Sequence, residues 1–337
     1  MLCELWLSMS ENILSVNNLS VSFDYQENFL SKKQKIQAVK NVNLNIKKGS
    51  FVGLVGESGS GKTTLGRAIL AANHISSGQV IFHDEKNDYN LANISKLELK
   101  DYRKKAQLIF QDPYAALSPR MTVRDILAEP LEVMKITKTR EEADERVREI
   151  ASKCRLNLEH LRRYPHAFSG GQRQRISIAR ALVSNPQFIV ADESVAALDV
   201  SIQADILNLL KSLQKELNLT YLFISHDLSV VAHTCDEVAV MYLGRIVEHA
   251  PTRELFSNPK HPYTKALLSS IPSIDPDKQN KAIELKGEIP SAMNPPSGCV
   301  FHTRCQYVNE NCIKTVPQLE KLNGSDHQVS CLRIDEI

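Results

Sequence analysis

Gly56-Glu57-Ser58-Gly59-Ser60-Gly61-Lys62-Thr63 follows an apolar run, Phe51 to Val55, and precedes a segment with helical spacing, Thr64 to Ala72. The pattern G-x-x-x-x-G-K-[ST] between a buried-type strand and a helix reads as a phosphate-binding loop. Its glycines let backbone N–H groups turn inward around phosphate oxygens, and the helix N-terminus adds a favourable dipole. Lys62 is placed to reach the β- and γ-phosphates of a nucleotide, and the Thr63 hydroxyl to ligate Mg²⁺.

The same strand-then-helix grammar returns downstream. Phe188 to Ala191 is followed by apolar residues at 202, 206, 209, 210, 213 and 217, a helical spacing. Tyr221 to Ile224 and Val238 to Met241 are further strand candidates. Strands alternating with helices at these lengths predict an α/β sheet covered by helices. Upstream, Ile13 to Ile46 reads as two or three strands around a polar insertion, Gln26 to Gln37, forming a β-rich edge. Residues 95–185, with charged runs such as Thr139 to Lys153, read as an inserted helical subdomain. The main domain is therefore expected over 11–270. Beyond it, Pro272, Pro276, Pro290, Pro295, Pro296 and Pro317 break any periodicity, so 271–337 reads as a loop-rich extension.

Composition sets bounds. Lys and Arg total 41 against 39 Asp and Glu, a net charge of +2 that gives no electrostatic footprint for nucleic acid. No apolar run approaches the roughly 18 to 20 residues of a membrane-spanning helix. Met1 to Met9 lacks a basic start and a small-residue cleavage site, which argues against a signal peptide, and Met9 is an equally good start. Of the 7 cysteines, Cys299, Cys305, Cys312 and Cys331 lie together near the C-terminus, and a reducing compartment argues against a disulfide framework.

Two more stretches carry chemistry. Asp192 and Glu193 end a fully apolar strand, a costly position for carboxylates unless a cation or reacting group meets them. Asp192 suits Mg²⁺, and Glu193 suits a general base acting on water. Ser169-Gly170-Gly171-Gln172 opens the helical run Arg173 to Val183 and offers a second phosphate-binding surface. One such surface too many suggests a dimer.

The order of these motifs resembles that of ABC ATPases: a Walker A loop, then Gln111, SGGQ, Walker B and His226. The resemblance implies a P-loop NTPase core that holds ATP on Gly56, Glu57, Ser58, Gly59, Ser60, Gly61, Lys62, Thr63 and Thr64. It also implies Mg²⁺ on Thr63, Gln111 and Asp192. In that family the signature Ser169, Gly170, Gly171 and Gln172 of one subunit closes over the ATP of the other. Gln111 takes the role of the Q-loop, with its surroundings (Pro113, Tyr114, Leu117) receiving a permease helix, and His226 contacts the γ-phosphate. Phe23, or the nearby Tyr25, stacks on adenine, and Ala197, Leu198 and Asp199 belong to the D-loop. Two residues depart from the family: Ser194 stands where proline is usual and Ala196 where serine is usual.

The resemblance is closest to the oligopeptide and dipeptide uptake branch, carried by Tyr164-Pro165-His166, Phe168-Ser169-Gly170-Gly171-Gln172, His261-Pro262-Tyr263-Thr264 and Gly298-Cys299. The Phe168 form resembles the second, F-type, of the two ATPase subunits of such transporters. It implies two transmembrane permease subunits, a second ATPase subunit, identical or paralogous, and indirectly an external substrate-binding protein. The location implied is peripheral, on the cytoplasmic face of the inner membrane. Peptides lead as cargo, with oligosaccharides and nickel as alternatives; a soluble ABC switch without a permease is the rival. Members of the branch share a cysteine-rich tail thought in some to hold a [4Fe–4S] cluster. For Cys299, Cys305, Cys312 and Cys331 such a cluster, zinc and plain thiols all stay open.

Overall fold

A computed structural model describes residues 11–26, 34–196, 198–271, 283–322 and 324–337. They divide into two compact units. One contains Ile46–Ser50 and Phe82–Ile224, the other Leu14–Asn45, Phe51–Ile81 and Ser225–Ile337.

The first unit carries three parallel strands in the order Ala106–Ile109, Phe188–Asp192, Thr220–Ser225. Ile109 lies opposite Ala191, and Asp192 opposite Ile224. Phe188–Asp192 is buried along its whole length, which explains its unbroken apolar run. Ala106–Ile109 was expected to be part of a helical stretch. Four residues, two of them half-buried, show no periodicity, and they become a strand only by pairing with Phe188–Asp192.

Helices Val123–Val133, Arg140–Lys153 and Gly170–Leu182 pack on one another through Ile126, Leu127, Leu131, Val147, Ile150, Ile176 and Leu182, all buried. Thr122 and Thr139 cap the first two, each accepting from a backbone N–H three residues on. Gly170–Leu182 begins three residues earlier than its apolar pattern. Ser169 and Gln172 form a capping box that holds two glycines in the first turn despite their poor helix propensity.

In the second unit, Asn12–Tyr25 lies between Gln34–Lys47 and Ser77–His83. Gln34–Lys47 starts inside the expected polar insertion. Phe51–Val55 runs parallel to Glu237–Tyr242, which pairs antiparallel with Arg245–Pro251. Leu243 and Gly244, both at positive φ, make the two-residue turn of that hairpin. The phosphate-loop helix is Lys62–Ile69, two residues earlier than expected, and ends where Ala71 turns left-handed.

The C-terminal extension is less irregular than its sequence suggests. Gln328–Val329 pairs with the edge strand Arg245–Pro251, and Glu320–Lys321 pairs with Gln328–Val329. Two-residue strands carry no alternation, so only the edge they dock on reveals them. Pro272, Pro276, Met1 to Met9 and Ala197 lie outside the described residues. Among those described, no helix is long and apolar enough to cross a membrane.

Candidate nucleotide site

The phosphate loop is held by close backbone contact. Gly61 has φ 104, and a Cβ there would stand 2.3 Å from the carbonyl oxygen of Ala38. Gly56 has φ 151, and its Cβ would meet the carbonyl oxygen of Met241 at 2.1 Å. Only glycine fits either position. Buried Lys62 reaches back over the loop, donating from Nζ to the carbonyl oxygens of Gly56 at 2.7 Å and Glu57 at 2.9 Å. Gly61 caps the helix without a side-chain bond, so its first turn takes no cap from its own side chains. That is the local form of an anion site at a helix N-terminus.

Two residues not assigned a role in the loop fasten it from behind. The backbone N–H of Glu57 donates to Tyr263 Oη at 2.9 Å. The Glu57 carboxylate accepts two hydrogen bonds from Arg304, at 2.8 and 3.3 Å. Tyr263 stood in a branch motif without a task, and Arg304 had no signal at all. Its partner lies 247 positions away.

In the first unit, Gln111 and Glu193, the two residues that the resemblance assigns to hydrolysis, lie together. Gln111 follows Ala106–Ile109, Glu193 follows Phe188–Asp192, and the parallel register sets their loops side by side. Gln111 Nε2 donates to Glu193 Oε2 at 2.8 Å. Glu193 adopts φ 45, and its N–H donates to the carbonyl of Ile224, so a left-handed turn anchored on the neighbouring strand aims the side chain. Asp192 is buried at the strand end. Ser194 is also buried, and its hydroxyl finds no partner among the described residues. His226 is exposed between Thr220–Ser225 and the helix Leu228–Thr234.

The signature segment does more than sequence reading assigned. Gln172 Oε1 accepts from Ser169 N at 3.1 Å, engaging the glutamine in capping. Gly171 is a packing position as well, because a Cβ there would lie 2.5 Å from Ile202 Cγ2 on helix Val200–Leu217. Leu198 approaches Gly170 on the same side, and Asp199 precedes that helix without a side-chain cap. Phe23 and Tyr25 are similarly exposed, 43% and 40%, so neither stands out as the adenine partner.

The segment after Gln111 is tied to the signature helix. Arg173 lies over the ring of Tyr114 at 3.9 Å, while Arg180 donates to the carbonyl of Ala116 and to Glu129. Of the residues expected on a docking surface, Pro113 and Leu117 are buried while Gln111 and Tyr114 are exposed; Phe110, next to Gln111, is exposed as well. Phe110 lines a 330 Å³ cavity with Leu108, Pro130, Val133 and Met134, and Arg180 stands at its polar side.

The four tail cysteines gather without forming a ligand set. Burial pushes the Cys299 thiol up to about 11 and raises those of Cys305 and Cys331, and neighbouring cysteines raise each further. Cys299 N donates to the carbonyl of Cys312. All four are free thiols, and among the described residues no three His, Cys, Asp or Glu are arranged to hold a metal ion. The arrangement of the described residues therefore lends no support to a cluster or a zinc site over plain thiols.

Comparison with known proteins agrees with the order of the motifs. The profile of the ABC transporter family matches residues 39–196, and that of the oligopeptide/dipeptide transporter C-terminal region matches 247–312. Oligopeptide transport ATP-binding protein OppF of Haemophilus influenzae is 47% identical, over 96% of this chain and 98% of that protein. AppF of Bacillus subtilis, of the same description, is 46% identical over 95% and 97%. The dimeric, post-hydrolysis structure of the ATP-binding cassette MJ0796 with ADP and Pi superposes with a TM-score of 0.61. It is 30% identical and covers 71% of this chain and 99% of that one.

Proposed function

The chain belongs to the ATP-binding subunits of ABC transporters, and from that membership we propose that it hydrolyses ATP to drive import of peptides. The observation that carries the reading is the hydrogen bond from Gln111 to Glu193. Glu193 then acts as the base that takes a proton from water attacking the γ-phosphate, and Gln111 orients both. Lys62 and the loop amides bind the β- and γ-phosphates, and His226 contacts the γ-phosphate. Family membership assigns Mg²⁺ to the hydroxyl of Thr63, the carboxylate of Asp192 and the amide of Gln111, each an oxygen donor of the kind that Mg²⁺ prefers, and the ion would neutralise phosphate charge. Phe23 or Tyr25 stacks on adenine.

Peptide cargo rests on the relatives, both oligopeptide transport proteins, and on the C-terminal region shared with that branch. Two permease subunits, a second ATPase subunit facing Ser169 to Gln172 and Leu198 to Asp199, and a peripheral place on the cytoplasmic face of the inner membrane complete the reading. The cavity beside Phe110 suits an apolar permease helix, and Arg173 and Arg180 join that surface to the signature helix. An iron–sulfur centre has only donor number in its favour: four cysteines on one tail. The test is ATP hydrolysis by the chain reconstituted with its permeases and partner ATPase. Stimulation by a peptide-loaded binding protein is expected; stimulation only by oligosaccharide or nickel would reassign the cargo.

A further inference from the structure

Glu57 is a carboxylate inside a loop built to receive several negative charges. A carboxylate beside a phosphate repels it, and in a partly shielded loop water screens that repulsion poorly. The structure offsets this from the C-terminal extension. Arg304 forks onto Glu57 through both terminal nitrogens, at 2.8 and 3.3 Å, with its side chain 8% exposed and that of Glu57 24% exposed. Bidentate pairing of a shielded guanidinium is the strong form of the interaction.

The main chain of Glu57 is fixed as well. Its N–H donates to Tyr263 and its carbonyl accepts from Lys62. Tyr263 belongs to an aromatic cluster completed by the extension's Phe301, which lies 5.4 Å from Tyr263 and 5.3 Å from Tyr242. Phe301 is 1% exposed, so it acts as a buried plug behind the loop. Arg304 and Phe301 are three residues apart, on the stretch bounded by Cys299 and Cys305.

We propose that Arg304 is a positioning residue for the phosphate loop, by which the C-terminal extension sets the affinity for ATP. It neutralises Glu57 and holds its side chain away from the phosphates. The inference rests on the nucleotide reading above.

The test is Mg-ATP binding to the full chain by fluorescence or calorimetry, with steady-state KM and kcat measured in the assembled transporter. Wild type should bind ATP and Lys62→Ala should lose it; a wild type that does not bind overturns the nucleotide reading itself. Arg304→Gln should raise Kd and KM about tenfold with kcat little changed. Arg304→Lys, which keeps the charge, should retain most of the affinity. Adding Glu57→Gln to Arg304→Gln should restore binding, because the uncompensated charge is then gone. Unchanged affinity in Arg304→Gln overturns the inference, as does a loss that Glu57→Gln does not relieve.

Discussion

Gln111 and Glu193 share a hydrogen bond of 2.8 Å although 82 positions separate them. They meet because each follows one of two adjacent parallel strands, Ala106–Ile109 and Phe188–Asp192, whose ends are in register. The pair couples the base assigned to hydrolysis to the segment that runs on to Tyr114 and the signature helix.

Glu193→Gln should keep ATP binding and lower turnover by about 10² to 10⁴, because an amide preserves the shape but takes no proton from water. The variant should also accumulate the ATP-bound dimer. Near wild-type turnover in steady-state hydrolysis would remove Glu193 from the role of base.

A charge on the exposed surface after the Q-loop should uncouple transport. Phe110→Glu and Tyr114→Glu place a carboxylate on half-exposed or exposed aromatic positions, so the fold tolerates them while an apolar permease helix does not. Tyr114→Glu also brings a carboxylate beside Arg173 in place of the ring contact. Co-purification with the permeases and transport should both fall, while nucleotide binding persists. Intact assembly in both variants would place the docking surface elsewhere.

The extension should show its own pH dependence. His327 is fully buried between Glu248 at 2.7 Å and Glu254 at 3.0 Å. Burial alone would lower His327, but the two carboxylates outweigh it and hold it above its ordinary value. Its contribution is complete below the unfolded value of about 6.5 and is lost as pH rises through the folded value. For Glu248, burial is outweighed by His327 and by the N–H groups of Lys260 and His261, so its pKa is depressed. That contribution is complete above about 4.3 and is lost as pH falls through the folded value. Neighbouring His261 is pushed down to about 4 by burial, so it erodes stability only below about 6.5. Of these three groups only His327 loses stability as pH rises above about 6.5, before the buried thiols begin to titrate above about 8.5. Urea midpoints followed by circular dichroism should fall above neutral pH, and His327→Gln should flatten that limb and cost about 3 kcal/mol at pH 6. A variant with the wild-type profile would deny the cluster any part in stability.

Metal analysis of anaerobically purified protein decides the cysteine tail. Given the arrangement of thiols present, the expected outcome is substoichiometric iron and zinc, with Cys305→Ser and Cys312→Ser leaving ATP binding intact. Four irons per chain with absorbance near about 400 nm would instead show that the thiols rearrange around a cluster.

The sequence was sufficient where chemistry depends on neighbours along the chain. The phosphate loop, the carboxylates ending an apolar strand and the helix N-terminus at Ser169 are each set by a few consecutive residues, whose geometry follows from local backbone rules. The helices over 140–153 and 200–217 were legible for the same reason, the first through its charged helical composition and the second through apolar spacing. Strand Ala106–Ile109 and the pairs Glu320–Lys321 and Gln328–Val329 were not, since short strands are stabilised by partners far away in sequence. Nor could spacing show that Leu117 faces inward, that Gly171 must admit Ile202, or that Arg304 closes on Glu57. Those contacts exist only once distant segments are packed, because burial and charge pairing depend on distance in space, which one-dimensional order does not contain.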